Sequence, residues 1–231
     1  MRNDIDDLNE GESPLHGYQG DRAPVPPTSG IPAALTVALS REAGARGSTI
    51  AHRAGRKLGW QVYDQELLEY MAQDAAVGQG MVDALKPEAA AWIEGQLERL
   101  LRDDRVQLPP PILSMARIVL TLGAQGGVVL IGRGAGCILP PESTLHVRIV
   151  APLEDRSAYM AQWLRLTAEE AAERVRLRDQ RRAEFVATHF HRQPSDVYQY
   201  DLLLNSGKLG EDVCADLIAR VTLARSERML R

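Results

Sequence analysis

The segment 41–49, with the sequence REAGARGST, contains the residue types best suited to chemistry in this chain. It follows the apolar run 35–39 and precedes the helical pattern 50–59, so it is predicted to be a strand-to-helix turn. Such a turn points unpaired backbone N–H groups and the positive end of a helix into the bend, where both stabilise an anion. The segment is therefore predicted to bind phosphate, and it is called the phosphate loop below.

Different residues of the phosphate loop supply different parts of such a site. Gly44 and Gly47 allow the backbone angles and the close approach that a bound phosphate needs. Ser48 or Thr49 offers a hydroxyl group to Mg²⁺. These two residues are therefore the candidate metal ligands.

Two arginines of the loop, Arg41 and Arg46, bring positive charge, and they also depart from the regular pattern G-x-x-x-x-G-K-[ST]. When Ser48 takes the last position of the pattern, Arg41 and Arg46 stand at its glycine positions and Gly47 stands at its lysine position. Taken alone, the segment is equally compatible with an ordinary tight turn between a strand and a helix.

Five apolar runs are predicted to be the strands that position this loop. Most of them lack a clean alternation of apolar and polar residues, and helical patterns separate them, which is typical of a parallel sheet buried on both faces. The predicted fold is therefore α/β, with a five-stranded parallel sheet covered by helices on both faces. The runs are residues 35–39, 62–63, 128–131, 145–150 and 200–205.

Helical patterns fill the intervals between the strands. Residues 88–104 place apolar side chains on one face, the prolines at 109–111 interrupt the chain, and a helical pattern resumes over 112–124. The sequence TAEE at 167–170 is a capping box that opens a helix running past Arg182. The region between the second and third strands is thus predicted to be all helix.

The segments that follow the predicted strands are expected to meet. Ligands of open α/β sheets bind beyond the carboxyl ends of the strands, so these segments should converge on one crevice. They are the turn 40–49, Asp64, the glycine-rich segment 132–136 and the loop after Asn205.

Composition indicates one folded domain with an N-terminal tail. The chain has 231 residues, of which 45% are hydrophobic and 25% are charged, which is enough for one sizeable core. Residues 1–32 carry the whole net charge of −4 and are rich in proline and glycine, so they are predicted to be a disordered tail. The folded domain is expected over residues 33–231.

The composition also excludes several classes of function. No apolar run approaches the length of a membrane span, and the N-terminus lacks the layout of a signal peptide, so a cytoplasmic protein without a membrane partner is expected. Balanced charge in residues 33–231 and an aromatic content of 5% argue against a nucleic-acid partner. Cys137 and Cys214 lack metal-ligand spacing and are expected to be core thiols.

Six short segments of the chain, in a fixed order, together form a recognisable pattern. They are SREAGARGSTIA, LGWQVYDQELLEYMA, IGRGAGCIL, VAPLEDR, RDQRR and YDLLLNS. In this order they resemble the cytidylate kinase-like family, a divergent branch of the P-loop nucleoside monophosphate kinases, and the resemblance covers residues 34–222. It implies a P-loop NTPase-type fold in which residues 75–125 form a helical acceptor-binding insert and residues 167–195 form a helical lid.

The same resemblance implies roles for individual residues. Asp64 and Arg133 are the expected acceptor-binding residues, whereas Asp179, Arg181 and Arg182 are the expected catalytic residues of the lid. The implied activity is transfer of the terminal phosphoryl group of ATP, with Mg²⁺, to CMP or a similar nucleotide, so the expected partners are small-molecule nucleotides. The expected donor phosphate-binding residues are Arg41, Gly44, Ala45, Arg46, Gly47, Ser48 and Thr49, and the metal ligands are again Ser48 and Thr49.

Alternatives stay open for several of these assignments. Asp64 can cap the helix that begins at Gln65, in place of or beside an acceptor contact. Arg174, Arg178 and Arg182 are four residues apart, as on a solvated helical face. Because the P-loop lysine is missing, one alternative is a nucleotide-binding regulatory or sensor module without kinase turnover. A further alternative is a kinase for a different small acceptor.

Overall fold

The computed structural model describes residues 32–74, 80–81, 85–102, 106 and 108–229. The predicted tail over residues 1–32 falls, except for its last residue, outside the described residues. The same holds for parts of the predicted insert over residues 75–125.

Five parallel strands form one sheet in the spatial order β2–β3–β1–β4–β5. Strand β1 lies at the centre, where Ala38 is opposite Leu130 of β3 on one side and opposite His146 of β4 on the other. The prediction of an α/β fold with a five-stranded parallel sheet is therefore confirmed. The strands are β1 (Thr36–Arg41), β2 (Gln61–Tyr63), β3 (Val128–Ile131), β4 (Thr144–Val150) and β5 (Leu202–Asn205).

Helices connect the strands and cover both faces of the sheet. The second helix of the predicted insert begins at Pro110 rather than at residue 112, because the first turn of a helix does not need the N–H that proline lacks. None of the helices within the described residues combines the length and the apolar character needed to cross a membrane. The helices are α1 (Gly47–Leu58), α2 (Gln65–Gln73), α3 (Pro87–Leu101), α4 (Pro110–Gln125), α5 (Ala135–Ile138), α6 (Leu153–Leu164), α7 (Ala168–Phe190) and α8 (Ser206–Met229), the last interrupted at Gly210.

The predicted capping box opens α7. The Thr167 hydroxyl accepts a hydrogen bond from the Glu170 N–H at 3.3 Å, and the Glu170 carboxylate accepts one from the Thr167 N–H at 2.8 Å. These bonds satisfy donors that the first turn of a helix otherwise leaves unpaired. Helix α7 continues to Phe190 and places the predicted lid residues along its length.

The two faces of the sheet differ in what they bury. Alternate strand residues point to opposite faces. Val37 and Leu39 pack in one apolar cluster with residues of α1 and α8, whereas Ala38 packs in another with residues of α2, α3 and α4. His146, which is opposite Ala38, and Arg148, which is opposite Ser40, therefore lie on the second face. This face of β1 and β4 is the polar surface on which the site is built.

Candidate functional site

The phosphate loop is a tightly packed turn at the carboxyl end of β1. Its backbone closes through a hydrogen bond of 3.2 Å from the Ala45 N–H to the Glu42 carbonyl, and residues 43–45 are buried. Gly44 has a φ of 77°, and a Cβ atom there would lie 2.6 Å from the carbonyl oxygen of Arg156. Both the backbone angle and the close packing therefore require glycine at this position.

The departures of this loop from the regular phosphate-binding pattern have a structural reason. Arg46 stands at a glycine position of the pattern and has a φ of 59°, in the left-handed region that glycine adopts most readily. A Cβ atom at Gly47 would lie 2.6 Å from Cβ and 2.8 Å from Cγ of Arg41. The side chain of Arg41 thus excludes a lysine at position 47, and the departures at positions 41 and 47 depend on each other.

Two charged side chains tie helix α7 to the phosphate loop. Asp179 Oδ1 accepts a hydrogen bond from the Ala43 N–H at 2.7 Å, and Asp179 Oδ2 accepts one from Arg156 Nη1 at 2.6 Å. The same nitrogen of Arg156 donates to the Ala43 carbonyl at 3.1 Å. We call these three residues the lid latch. The Ala43 N–H donates to a carboxylate here, so the same N–H can bind an anionic oxygen of a ligand.

A cavity of about 140 Å³ lies beside the phosphate loop, on the face of the sheet that carries Ser40, His146 and Arg148. Among the described residues, its lining contains six arginines and no Asp or Glu. Positive charge concentrated in a confined space favours an anionic ligand. We call it the arginine cavity, and its arginines are Arg41, Arg133, Arg148, Arg178, Arg181 and Arg182.

Arg133 is held in place by its neighbours. It lies in the segment 132–134, whose three residues all have positive φ values between 50° and 79°. Its side chain forms an ion pair with Glu69 of α2, and its guanidinium carbon lies 5.5 Å from the centroid of the Phe185 ring in α7. The side chain is therefore oriented between α2 and α7.

Arg41 and Arg148 form the wall of the cavity nearest to β1 and β4. Arg41 is only 8% exposed, and its guanidinium lies so close to Gly132 that a Cβ atom there would overlap it. Arg148 donates a hydrogen bond to Ser40 Oγ at 2.7 Å. Arg41 therefore extends from the phosphate loop to the segment that carries Arg133.

A second hollow of about 320 Å³ adjoins the arginine cavity. Arg41, Arg148 and Arg182 line both spaces, and Glu42 and Asp179 line only the second. The wall shared by the two spaces thus separates the lid latch from the arginine cavity.

The structure brings four of the predicted site residues together. Arg41, Arg133, Arg181 and Arg182 line the arginine cavity, and Asp179 lines the adjoining hollow. They come from β1, from the segment after β3 and from α7, which the sheet topology places at one edge.

Two other segments that were expected at the crevice have local roles. Asp64 Oδ1 accepts a hydrogen bond from the Leu67 N–H at 2.9 Å and so caps α2, while its neighbour Gln65 lines the arginine cavity. After β5, the Ser206 hydroxyl donates to the Ala45 carbonyl at 2.8 Å and supports the phosphate loop. Both segments therefore lie at the expected edge of the sheet, but neither Asp64 nor Ser206 is among the residues that line the two described spaces.

The remaining donor-site residues surround the start of α1. Arg46 forms an ion pair with Glu211 at 3.3 Å and lies 4.9 Å from the centroid of the Tyr159 ring. Ser48 and Thr49 are half-buried in the first turn of α1. None of Arg46, Ser48 and Thr49 is among the residues that line the two described spaces.

The sequence analysis missed the polar face of β4. His146 and Arg148 stand at alternate positions of an otherwise apolar strand, TLHVRIV, and this spacing was the available signal. Gln199 and Tyr200, which precede β5, complete that wall of the cavity. Arg178 is 6% exposed and lines the cavity, so the alternative of a solvated helical face does not apply to it.

Two titratable groups of the cavity are neutral near pH 7. Burial raises the pKa of the Cys137 thiol to about 11, and burial lowers the pKa of His146 below 6.5. Cys137 lines the cavity instead of belonging wholly to the core, whereas Cys214 is buried as predicted. Across the described part of the chain, no group of three or more His, Cys, Asp or Glu side chains is arranged to hold a metal ion.

Comparison with known proteins identifies a family and one solved structure of similar fold. A sequence profile of the cytidylate kinase-like family matches residues 36–208. An uncharacterized protein from Eubacterium ventriosum of known structure superposes with a TM-score of 0.66 at 16% identity, over 82% of this chain and 98% of that chain. Shikimate kinase from Acinetobacter baumannii, in complex with shikimate, superposes with a TM-score of 0.46 at 12% identity, over 83% of this chain and 94% of that chain.

Among curated proteins, a uronate isomerase of Corynebacterium glutamicum is 32% identical over 109 residues. The match includes 47% of this chain and 21% of that protein. The chain therefore spans about a fifth of the length of the curated relative that it matches.

Proposed function

The chain belongs to the cytidylate kinase-like family, and we propose that it transfers the terminal phosphoryl group of ATP to CMP or a similar nucleoside monophosphate. The acceptor phosphate binds in the arginine cavity, and the donor phosphates bind at the phosphate loop. Helix α7 acts as the lid over both. The reaction brings two negatively charged nucleotides together and moves a phosphoryl group from one to the other. Most of the catalytic effect must therefore come from positioning and positive charge.

The observation that carries this proposal is the position of Arg41. Its Cβ and Cγ atoms lie against Gly47 in the phosphate loop, and its guanidinium lies against Gly132, next to Arg133. A buried cation between the two sites can neutralise charge on a phosphoryl group that passes from one to the other. We propose that Arg41 supplies the positive charge that a P-loop lysine supplies elsewhere.

The phosphate loop fits the donor phosphates and Mg²⁺ in two respects. The Ala43 N–H already binds an anionic oxygen, that of Asp179, at 2.7 Å. Ser48 and Thr49 place hydroxyl groups in the first turn of α1, and Mg²⁺ in nucleotide sites is bound by few protein ligands together with phosphates and water. When bound, Mg²⁺ supplies positive charge to the donor phosphates.

The other charged residues of the site have distinct roles in this proposal. Arg133, oriented by Glu69, holds the acceptor phosphate, and Arg181 and Arg182 neutralise the charge that develops during transfer. Asp179 holds the lid against the phosphate loop and yields the Ala43 N–H when donor phosphates bind. The acceptor phosphate is anionic, so no general base from the protein is needed.

A second candidate is nucleotide binding without turnover, as in a regulatory or sensor module. The lid latch favours it, because Asp179 and Arg156 already occupy polar groups of the phosphate loop. Binding of both nucleotides without transfer would support this candidate.

A coupled assay of ADP formation tests the proposal. ATP, Mg²⁺ and one acceptor at a time from CMP, dCMP, UMP, AMP and GMP are mixed with the wild-type protein, and binding of each compound is measured in parallel. We expect acceptor-dependent ADP formation with at least one acceptor. We expect Arg133→Ala to raise the acceptor KM, since this arginine binds the acceptor before and during transfer. Binding without ADP formation for every acceptor would contradict the kinase proposal.

A further inference from the structure

The inner wall of the arginine cavity carries a histidine that the proposed reaction does not use. His146 lies on β4, opposite Ala38 of β1, and is only 8% exposed. It lines the cavity two residues before Arg148, on the same face of the strand. A buried imidazole at this position contributes a specific hydrogen-bonding group to a wall that otherwise offers mainly cations.

The hydrogen-bond partner of His146 defines which ring nitrogen carries the proton. Nδ1 lies 3.3 Å from the carbonyl oxygen of Gln199. A carbonyl oxygen only accepts hydrogen bonds, so Nδ1 carries the hydrogen, and in the neutral ring Nε2 is a hydrogen-bond acceptor. Burial also disfavours the charged imidazolium and lowers the pKa of His146, so the ring is neutral near pH 7.

Nε2 of His146 is buried, and within the described part of the chain it has no hydrogen-bond partner. A buried acceptor without a partner is unfavourable relative to one that is satisfied, so a ligand that supplies a donor there gains affinity. The surrounding arginines, by contrast, are donors only. A ligand that satisfies the whole cavity must therefore combine anionic oxygens with at least one N–H or O–H group.

We propose that His146 determines acceptor specificity by accepting a hydrogen bond, through Nε2, from an N–H or O–H group of the acceptor whose phosphate lies among the arginines. This inference rests on the proposed function, because it assumes that the acceptor binds in the arginine cavity. Two parts of a nucleotide can supply the group: the amino group of the base or a hydroxyl group of the sugar.

Binding measurements with three nucleotides distinguish these sources. CMP has both the base amino group and the 2′-hydroxyl, UMP has a carbonyl in place of the amino group, and dCMP lacks the 2′-hydroxyl. If the amino group is the donor, wild-type protein should bind UMP about 10-fold or more weakly than CMP and dCMP. If the 2′-hydroxyl is the donor, dCMP should be the weak ligand. Tenfold corresponds to about 1.4 kcal/mol.

Two substitutions of His146 separate its acceptor atom from its volume. His146→Leu removes the acceptor, so it should bind CMP about 10-fold more weakly, bind the weak analogue unchanged, and lose the discrimination between them. His146→Gln offers a carbonyl oxygen and should restore part of the discrimination. His52→Leu, the same substitution at a histidine of α1 that does not line the cavity, should keep the wild-type ratio. Circular dichroism checks that each variant is folded.

Nitrogen NMR of the imidazole in the wild-type protein provides a test that needs no substitution. CMP should shift the Nε2 resonance of His146, whereas the analogue without the donor should leave it nearly unchanged. Equal binding of all three nucleotides by wild type and His146→Leu, an unmoved Nε2 resonance, or absence of binding by every nucleotide would overturn the inference. ADP formation tests the kinase proposal separately. ADP formation without discrimination through His146 would overturn only the inference about His146, whereas discrimination without ADP formation would overturn only the kinase proposal.

Discussion

At the scale of single residues, the exchange between Arg41 and Gly47 explains the most unusual feature of the phosphate loop. The regular pattern has glycine at the first of these positions and lysine at the second, and here a buried arginine lies where the lysine side chain would begin. The loop therefore has a positive charge at the end of β1 and none at the lysine position. The loop differs from the pattern at two coupled positions rather than at two independent ones.

Stability measurements can detect this coupling. We expect Gly47→Ala to destabilise the wild-type protein by about 1–3 kcal/mol, because its Cβ would overlap Arg41. In an Arg41→Gly background, the same change should be neutral or stabilise by up to about 1 kcal/mol, since alanine favours a helix over glycine. Urea unfolding of the four proteins gives both values. If Gly47→Ala lowers the free energy of unfolding equally in the wild-type protein and in the Arg41→Gly variant, Arg41 does not exclude a side chain at position 47.

Sequence reasoning reached some of these residues because their signal is local. Arg133 stands between two glycines, and Arg181 and Arg182 belong to a short motif, so neighbouring residues marked them. His146 and Arg148 instead look like two polar interruptions of a buried strand. Only the pairing of β4 with β1, and the space left beside that pair, makes them part of a cavity.

At the scale of elements, helix α7 is joined to the phosphate loop by the lid latch. The latch links residues far apart in sequence, and Arg156 is 8% exposed, so its charge depends on these partners. Removing either side of a buried charge pair leaves the other uncompensated. The latch therefore holds α7 against the phosphate loop.

A double-mutant cycle tests this coupling. Asp179→Asn and Arg156→Ala should each destabilise the protein, by about 1–3 kcal/mol, because the carboxylate is partly exposed and the pair is not fully desolvated. The double variant should cost less than the sum of the two, since both changes remove one interaction. Arg176→Ala, at an exposed position of the same helix, is the control and should change stability little. Additive effects in the cycle would contradict the latch.

Kinetics tests the lid arginines separately. Replacing Arg181 and Arg182 together by alanine should reduce kcat about 10²-fold with little change in nucleotide binding, because their charge is needed mainly during transfer. The exposed Arg176→Ala again serves as the control. Unaltered turnover in the double variant would mean that Arg181 and Arg182 take no part in transfer and only belong to the solvated surface of the helix.

The helices and strands themselves were largely readable from the sequence. The apolar run 128–131 matches β3 in full, and the capping box at 167–170 opens α7 as predicted. The helix of residues 110–125 starts earlier than expected, since its first turn accepts proline. The latch could not be predicted, because it depends on how α6 and α7 pack against the loop after folding.

At the scale of the whole molecule, the balanced composition conceals an uneven distribution of charge. The chain has a net charge of −4, yet the arginine cavity has six arginines and, among the described residues, no acidic side chain in its lining. Composition alone cannot show this, because it does not state where charges meet. The parallel sheet was predictable from continuous apolar runs, whereas the cavity depends on how α7 and the segment after β3 pack beside β1 and β4.

The buried His146 gives the fold a defined dependence on pH. Burial lowers its pKa below 6.5 and outweighs the raising effects of the Gln199 carbonyl and Asp201. The unfolded chain therefore binds the proton more readily, so the stability contribution is present above about pH 6.5 and is lost as pH falls below that value. Denaturation midpoints at pH 8 and pH 5.5 should differ less in His146→Gln than in the wild type. An equal difference would mean that His146 does not contribute.

Phosphoryl transfer itself is measured by the products of a single turnover with ATP, Mg²⁺ and CMP. We expect wild-type protein to form ADP and CDP in equal amounts. We expect Arg41→Ala to form CDP at least about 10²-fold more slowly while still binding both nucleotides, since Arg41 lies between the two proposed sites. Saturating binding of ATP and CMP to the wild type without CDP, or an Arg41→Ala variant as fast as the wild type, would contradict this proposal.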